Sequence, residues 1–157
     1  MPLEIERKFL IKNSSYKTDS FKVSFIKQGF LNSNKKRVVR VRILDNSGFL
    51  TIKGISSSDG TSRFEWEKEI PLEEANELFE LCEEGVIEKY RYYVNHYDHI
   101  YEIDEFKGEN KGLVIGEVEL GSVDESFSKP TWVGVEVTGD TKFYNSELSK
   151  NPFSKWV

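Results

Sequence analysis

Acidic and basic side chains recur at every second position in several short segments of this 157-residue chain. The segments are Glu4-Ile5-Glu6-Arg7-Lys8, Arg40-Val41-Arg42, Thr51-Ile52-Lys53, Glu65-Trp66-Glu67, Lys89-Tyr90-Arg91 and Glu117-Val118-Glu119. Side chains two residues apart lie on one face of a β-strand. Carboxylate oxygens are the ligands preferred by Mg²⁺ and Mn²⁺, and Arg and Lys suit phosphate oxygens. The charged set therefore has the groups needed to bind a phosphate compound together with metal ions.

A β-sheet must position these charges. Alternation of apolar and polar residues predicts strands at 3–11, 21–31, 36–44, 48–55, 63–70, 86–97, 100–106, 113–121 and 131–138. Turn-forming residues separate most of them, as in antiparallel hairpins. One helix is predicted after Pro71, with Gly85 as its stop, and a second, short helix after Asn145. The predicted fold is α+β, mainly antiparallel β, with eight or nine strands in a sandwich or a closed barrel.

Solvent exposure is the simplest explanation for the charged face of any one of these strands. The strands taken together are less ordinary, because like charges repeat on one face where a solvated sheet would mix in Ser, Thr, Asn and Gln. Like charges at this spacing repel each other. A ligand and metal ions would compensate that repulsion.

A closed eight-stranded barrel would turn the charged face inward, around space for one small ligand. The basic residues that then converge are Lys8, Arg40, Arg42, Lys53, Lys89 and Arg91. The acidic residues are Glu4, Glu6, Glu65, Glu67, Asp104, Glu117 and Glu119. Six positive and seven negative charges sum to −1, and two divalent cations would bring the sum to +3. A triphosphate with about four to five negative charges would then be well matched.

Composition narrows the classes of function. The net charge of −5 argues against a general nucleic-acid surface, which relies on excess positive charge. Cys82 is the single cysteine, so the chain cannot form an internal disulfide framework and we expect a reducing compartment. No apolar run approaches membrane-spanning length, and no signal segment is recognisable. We expect one cytoplasmic domain over 1–157 that does not bind membranes.

These residues resemble the triphosphate tunnel metalloenzymes, also called CYTH proteins. The family signature, acid-x-acid-x-Lys at the extreme N-terminus, is met by Glu4, Glu6 and Lys8. The Gln28-Gly29-Phe30-Leu31 segment resembles the next strand of bacterial members. The remaining charged positions follow in family order over essentially the whole chain.

The resemblance implies a closed eight-stranded antiparallel tunnel that is open at both ends. The implied phosphate-binding residues are Lys8, Arg40, Arg42, Lys53, Lys89 and Arg91. Glu4, Glu6 and Glu119 would hold a metal ion, Mg²⁺ or Mn²⁺, that bridges the phosphates. Some of Glu65, Glu67, Asp104 and Glu117 would hold a second ion, which positions water for attack on the terminal phosphorus. Lys8, Glu65 and Glu67 are the expected catalytic residues.

The expected activity is metal-dependent hydrolysis of inorganic tripolyphosphate or a related triphosphate. An adenylyl cyclase that converts ATP to cyclic AMP and a thiamine triphosphatase are the enzymatic alternatives. A polyphosphate- or nucleotide-binding module without turnover is the non-enzymatic one. No feature of the sequence selects adenine. Arg63 shares the inward parity, and the sequence leaves open whether it contacts phosphate or faces solvent at the rim.

One departure from the family pattern concerns the segment from Asn13 to Ser20, where many bacterial members carry a helix. Its short polar sequence predicts that this helix is reduced or lost. The outer face of the barrel would then have less cover, and we expect part of it to be buried in a homodimer. This apolar outer face comprises Ile5, Phe9, Val39, Val41, Ile52, Trp66, Tyr90 and Tyr92. The tail from Asn151 onward could cover one mouth of the tunnel or pack on the barrel wall.

Overall fold

Nine antiparallel strands form the structure, a computed structural model that describes residues 3–156. They are β1 (Leu3–Ile11), β2 (Lys22–Asn32), β3 (Arg37–Leu44), β4 (Ser47–Ser56), β5 (Ser62–Ile70), β6 (Ile87–His96), β7 (His99–Phe106), β8 (Val114–Glu119) and β9 (Val133–Glu136). Every predicted strand is present, and no end differs from its predicted position by more than two residues. The ends of the predicted domain and tail, residues 1, 2 and 157, lie outside the described residues.

Eight of the strands close into a barrel. The hydrogen-bonded order is β5-β4-β3-β2-β6-β7-β8-β1, and β5 also pairs with β1, where Glu4 lies opposite Arg63. The ninth strand, β9, pairs with the C-terminal end of β1, at Phe9 and Ile11. The α+β prediction with a closed eight-stranded barrel is confirmed. Closure places one face of every strand in the interior, and that face carries the charges.

Three short α-helices are described. They are α1 (Tyr16–Asp19), α2 (Leu72–Phe79) and α3 (Asn145–Leu148). The segment that was expected to have a reduced or lost helix contains the single turn of α1. The predicted helix after Pro71 forms as α2 but ends at Phe79, well before Gly85, and the predicted short helix begins at Asn145. None of the helices in residues 3–156 has the length and apolar character required to span a membrane.

The C-terminal segment, residues 141–156, packs across the barrel end at which β2 and β7 finish. Phe143 and Leu148 are buried there against inward-facing Phe30, Phe106 and Ile115. Apolar contacts of this kind stabilise the segment on the barrel because they remove surface from water. The family resemblance implied a tunnel open at both ends, and this expectation is wrong at this end, which the segment covers.

The outer face is partly covered within the protomer. Phe9 and Val41 are fully buried, so they cannot contribute to an interface between copies as the sequence analysis expected. Ile52 and Trp66, which are paired across β4 and β5, remain exposed. The predicted homodimer therefore stays a prediction, and its contact surface is smaller than the full apolar outer face.

Candidate functional site

A polar cavity of about 220 Å³ occupies the barrel interior. It is lined by every predicted site residue except Asp104: Glu4, Glu6, Lys8, Arg40, Arg42, Lys53, Glu65, Glu67, Lys89, Arg91, Glu117 and Glu119. Arg63, which the sequence left undecided, also lines it. The structure thus gathers these side chains from six strands, and the outermost of them, Glu4 and Glu119, are 115 residues apart in the chain.

Strand register sets which charges are neighbours. Glu6 lies opposite Glu119, and Lys8 lies opposite Glu117, on the paired strands β1 and β8. Lys53 of β4 lies opposite Glu65 of β5. Directly opposed side chains are close enough to interact. Strand register therefore places like and unlike charges beside one another around the cavity.

The deepest cations are held by a buried carboxylate. Asp104 is 1% exposed, and its Oδ1 accepts a 2.7 Å hydrogen bond from Arg91 Nε. Its Oδ2 lies 3.0 Å from Arg91 Nη2 and 2.7 Å from Lys89 Nζ. Burial opposes ionisation of Asp104, but the charges of Arg91 and Lys89 outweigh it and lower its pKa. Lys89 and Arg91 occupy both oxygens of Asp104, and Asp104 does not line the cavity, so this geometry favours a supporting role for Asp104 over the predicted metal-ligand role.

Two arginines on β3 have unused hydrogen-bonding capacity. Arg40 Nη2 and Arg42 Nη2 both lie 3.4 Å from Glu67 Oε2, a long distance for a charged hydrogen bond. Their buried Nε atoms have no partner within residues 3–156. Burial, together with the charges of Arg40 and Arg91, lowers the pKa of Arg42 to about 10. Crowded cations with unpaired donors are what an anion site requires.

Several carboxylates of the cavity face one another. Burial raises the pKa of Glu6 well above its ordinary value, and the negative charges of Glu117 and Glu4 add to this effect. Burial likewise raises the pKa of Glu65, which hydrogen-bonds to Glu4. Facing carboxylates need a shared proton or a cation to relieve their repulsion. Lys53 supplies part of that charge, with Nζ at 3.1 Å from Glu4 and 3.3 Å from Glu65.

The donor set suits a hard divalent cation, because all its members are oxygen ligands. Within residues 3–156, no three acidic side chains already converge on one point as a metal site. Lys53 lies between Glu4 and Glu65, so a cation at that position would need Lys53 to shift. The residues present therefore fit Mg²⁺ or Mn²⁺ chemically, and binding would require side-chain rearrangement.

The residues of the lining that sequence reasoning missed include Glu102, Thr138, Tyr144, Asn145 and Ser146. Glu102 had a usable signal, because it stands two residues before Asp104 on the same face of β7. The other four lie in irregular segments or a short helix, where no periodic pattern marks an inward position. With Arg63 and Glu102 included, the lining contains seven basic and seven acidic side chains, so its formal charges cancel.

Comparison with known proteins agrees with this geometry. The CYTH domain family matches residues 2–152. An inorganic triphosphatase of Acetivibrio thermocellus is 47% identical over 157 residues, which cover 99% of each chain. An inorganic triphosphatase of Nitrosomonas europaea is 33% identical over 150 residues, covering 93% of this chain and 96% of that one.

A solved structure of an inorganic triphosphatase superposes with a TM-score of 0.66 at 31% identity. The match covers 93% of this chain and 97% of that one. Each of these three matches covers more than nine tenths of both chains, so the similarity extends over the whole barrel. The chain belongs to the CYTH domain family.

Proposed function

We propose that this protein is a metal-dependent triphosphatase that releases the terminal phosphate of inorganic tripolyphosphate or a closely related triphosphate. The observation that carries the proposal is the cavity inside the barrel, which is lined by equal numbers of basic and acidic side chains. Two relatives named as inorganic triphosphatases support the same reaction. The metal dependence, Mg²⁺ or Mn²⁺, is supported by the all-oxygen donor set.

Size favours an inorganic substrate. Pockets for drug-sized ligands usually have about 300–1,000 Å³, whereas this cavity has about 220 Å³. Three linked phosphates are small enough for such a space, and a nucleoside would have to project through the open mouth. A cyclase needs the ribose beside the reacting phosphate, so the small cavity favours hydrolysis over cyclisation. A thiamine group could remain outside, and thiamine triphosphate stays an alternative substrate.

The basic side chains would bind and orient the phosphate oxygens. Arg40 and Arg42 offer bidentate contacts, while Lys8, Lys53, Lys89 and Arg91 offer further positive charge. In-line attack forms a bond from a water oxygen to the terminal phosphorus and breaks the bond from that phosphorus to the bridging oxygen. The leaving diphosphate departs with the electron pair. Fixed cations around the phosphates neutralise the charge of the transition state without moving during the reaction.

The acidic side chains would divide between metal binding and water positioning. Glu4, Glu6 and Glu119 would hold one ion, and Glu65, Glu67 and Glu117 would hold or orient a second one. Bound divalent ions would neutralise phosphate charge and activate water. Glu65 and Glu67 would accept hydrogen bonds from the attacking water, and one of these carboxylates would take up its proton as the new phosphorus–oxygen bond forms. Lys8 would contact the reacting phosphate. Asp104 would position Arg91 and Lys89.

The test is to incubate the purified protein with tripolyphosphate, thiamine triphosphate or ATP, with Mg²⁺, with Mn²⁺ or with a chelator. Phosphate, diphosphate and cyclic AMP are measured in each reaction. We expect phosphate from tripolyphosphate only when metal is present. Cyclic AMP from ATP would replace the proposal with a cyclase, and a folded protein with no product from any substrate would indicate a binding module.

Two variants separate binding from turnover. Lys53→Ala should weaken tripolyphosphate binding, because it removes a cation from the lining. Glu67→Ala should reduce turnover while retaining binding, because a carboxylate that orients water contributes chiefly to the transition state. Equal loss of both properties in the two variants would contradict this division of roles.

The assembly and location of the protein form a further part of the proposal. A homodimer is supported by the exposed Ile52 and Trp66 on the outer face. A monomer in sedimentation at high micromolar concentration would refute it. A cytoplasmic location is supported by the single cysteine, Cys82, which leaves no internal disulfide to be formed.

A further inference from the structure

The C-terminal segment contributes three consecutive residues to the cavity wall, Tyr144, Asn145 and Ser146. We propose that Tyr144 and Asn145 are positioning residues that fix the two buried lysines, Lys8 and Lys89, toward the bound phosphates. This inference rests on the proposed function, since it concerns how that site holds its substrate. It makes the segment that covers the barrel end a working part of the site.

Asn145 acts on Lys89. The Lys89 side chain is almost fully buried, and its ammonium has three hydrogens to donate. One hydrogen bond goes to Asp104 Oδ2 at 2.7 Å and another to Asn145 Oδ1 at 3.0 Å. The two acceptors fix the rotation of the ammonium, which leaves one hydrogen for a ligand in the cavity that Lys89 lines. Without Asn145, the group could rotate about its bond to Asp104.

Tyr144 acts on Lys8. Lys8 Nζ lies 5.0 Å from the centre of the Tyr144 ring, and Arg63 Cζ lies 5.8 Å from the same centre. Both distances are within the range of a cation–π interaction. The hydroxyl of Tyr144 lies 3.3 Å from Ser56 Oγ at the end of β4, which fixes the ring. The aromatic face thus supports two cations of the lining without neutralising them.

The anchoring of the segment is separate from these contacts. Phe143 and Leu148 are 5% and 0% exposed in the apolar cluster at the barrel end. The ring of Trp156 packs edge-on against Phe143 at 5.4 Å. Apolar residues on one side of the segment bind it to the barrel, and Tyr144 and Asn145 point to the cavity from the other side. Substitution of the latter two should therefore leave the segment in place.

The experiment compares Asn145→Ala with Asn151→Ala, an exposed asparagine of the same segment whose side chain makes no hydrogen bond within residues 3–156. We expect Asn145→Ala to raise KM for tripolyphosphate roughly tenfold, with kcat within about twofold of wild type. Asn151→Ala should leave both constants unchanged. Loss of a ground-state contact gives this separation of KM from kcat, whereas general loss of structure does not.

Tyr144 is tested by a pair of substitutions. Tyr144→Phe retains the aromatic face and should bind tripolyphosphate nearly as wild type does. Tyr144→Leu removes that face and should raise KM roughly three- to tenfold. Equal KM values for the two variants would show that the ring does not act on Lys8.

Thermal unfolding is measured for every variant, with Leu148→Ala as the reference for loss of anchoring. The positioning role predicts that Asn145→Ala and Tyr144→Leu unfold within a few degrees of wild type. An unchanged KM in Asn145→Ala, or a fall in its midpoint as large as that of Leu148→Ala, overturns the inference. Failure of the wild-type protein to hydrolyse tripolyphosphate would instead refute the proposed function.

Discussion

Substitution of Asp104 by Asn tests the assignment of this residue as the support of two cations. Its carboxylate is the shared partner of Lys89 and Arg91, and the side chains of Asp104 and Lys89 are each 2% exposed. Asn retains the shape but removes the negative charge. Lys89 and Arg91 would then be buried side by side with their repulsion uncompensated by Asp104. We expect the free protein to be strongly destabilised.

The magnitude follows from burial. Removing one partner of a buried ion pair usually costs about 3–5 kcal/mol, because it leaves an uncompensated charge in the interior. Neutralisation of Lys89 would reduce this cost. Its pKa is already lowered to about 8, and burial contributes more to this shift than the charges of its neighbours. For a chain of this size, about 1 kcal/mol corresponds to a shift of about 2–4 °C in unfolding temperature. We therefore expect a fall of roughly 6–20 °C, with values in the lower part of this range if Lys89 is neutralised.

The assay is thermal unfolding of wild type, Asp104→Asn and Glu119→Gln, with a chelator present and then with tripolyphosphate added. Glu119 is the control because it lies on an exposed part of the lining, so its neutral variant should unfold close to wild type. Tripolyphosphate should restore more stability to Asp104→Asn than to wild type, because the ligand supplies the missing negative charge. The reasoning would be refuted if Asp104→Asn were as stable as wild type in chelator and defective only in metal binding. Asp104 would then be a metal ligand, as the sequence analysis expected.

Three further predictions concern parts of the fold outside the cavity. Gly29→Ala should lower stability by about 1–3 kcal/mol, since an added Cβ would lie 2.8 Å from Cys82 Sγ. Urea unfolding of the double variant Gly29→Ala, Cys82→Ala should show that part of this stability is recovered. If the losses of the two single variants simply add in the double variant, there is no clash. Burial raises the pKa of Tyr101 to about 12. Its neutral form therefore stabilises the fold fully below pH 10, and this contribution, about 3 kcal/mol, is lost as the pH rises from about 10 to 12. Tyr101→Phe should lose less stability than wild type over that interval, and parallel plots of stability against pH for the two proteins would refute the assignment. Glu136→Gln should change stability by at most about 1 kcal/mol and leave turnover unaffected, because Glu136 pairs with Arg7 in a partly exposed bidentate contact at 2.5 and 2.7 Å outside the cavity. A loss of turnover would show that Glu136 acts on the site.

Strand parity accounts for most of what the sequence predicted correctly. Charges at alternate positions in β1, β3, β4, β5, β6 and β8 all face the interior, because a strand turns every second side chain to the same side. Once β5 pairs with β1, these faces can only meet one another. The lining was therefore predictable from periodicity, while closure itself came from the family resemblance and was confirmed by the topology.

Parity alone could not assign roles within the set. Asp104 and Glu102 both point to the interior of the barrel. Only the register of β6 with β7 shows that Asp104 lies opposite Arg91 and forms an ion pair with it. Tyr144 and Asn145 reach the cavity lining from a segment whose sequence has no repeating pattern. The burial of Leu148 holds this segment against the barrel. Such long-range packing leaves no local signal in the sequence.

The ion pairs of the free cavity would allow one small space to accept both the proposed triphosphate and the proposed metal ions. Lys53 bridges Glu4 and Glu65 at 3.1 and 3.3 Å, so these groups partly neutralise each other before any ligand arrives. A triphosphate would take Lys53 as a partner, and metal ions would take the carboxylates. Each charge then exchanges one partner for another, and no charge of the lining has to remain buried unpaired. Binding of the two ligands is for this reason expected to be mutually reinforcing, because each releases the groups that the other needs.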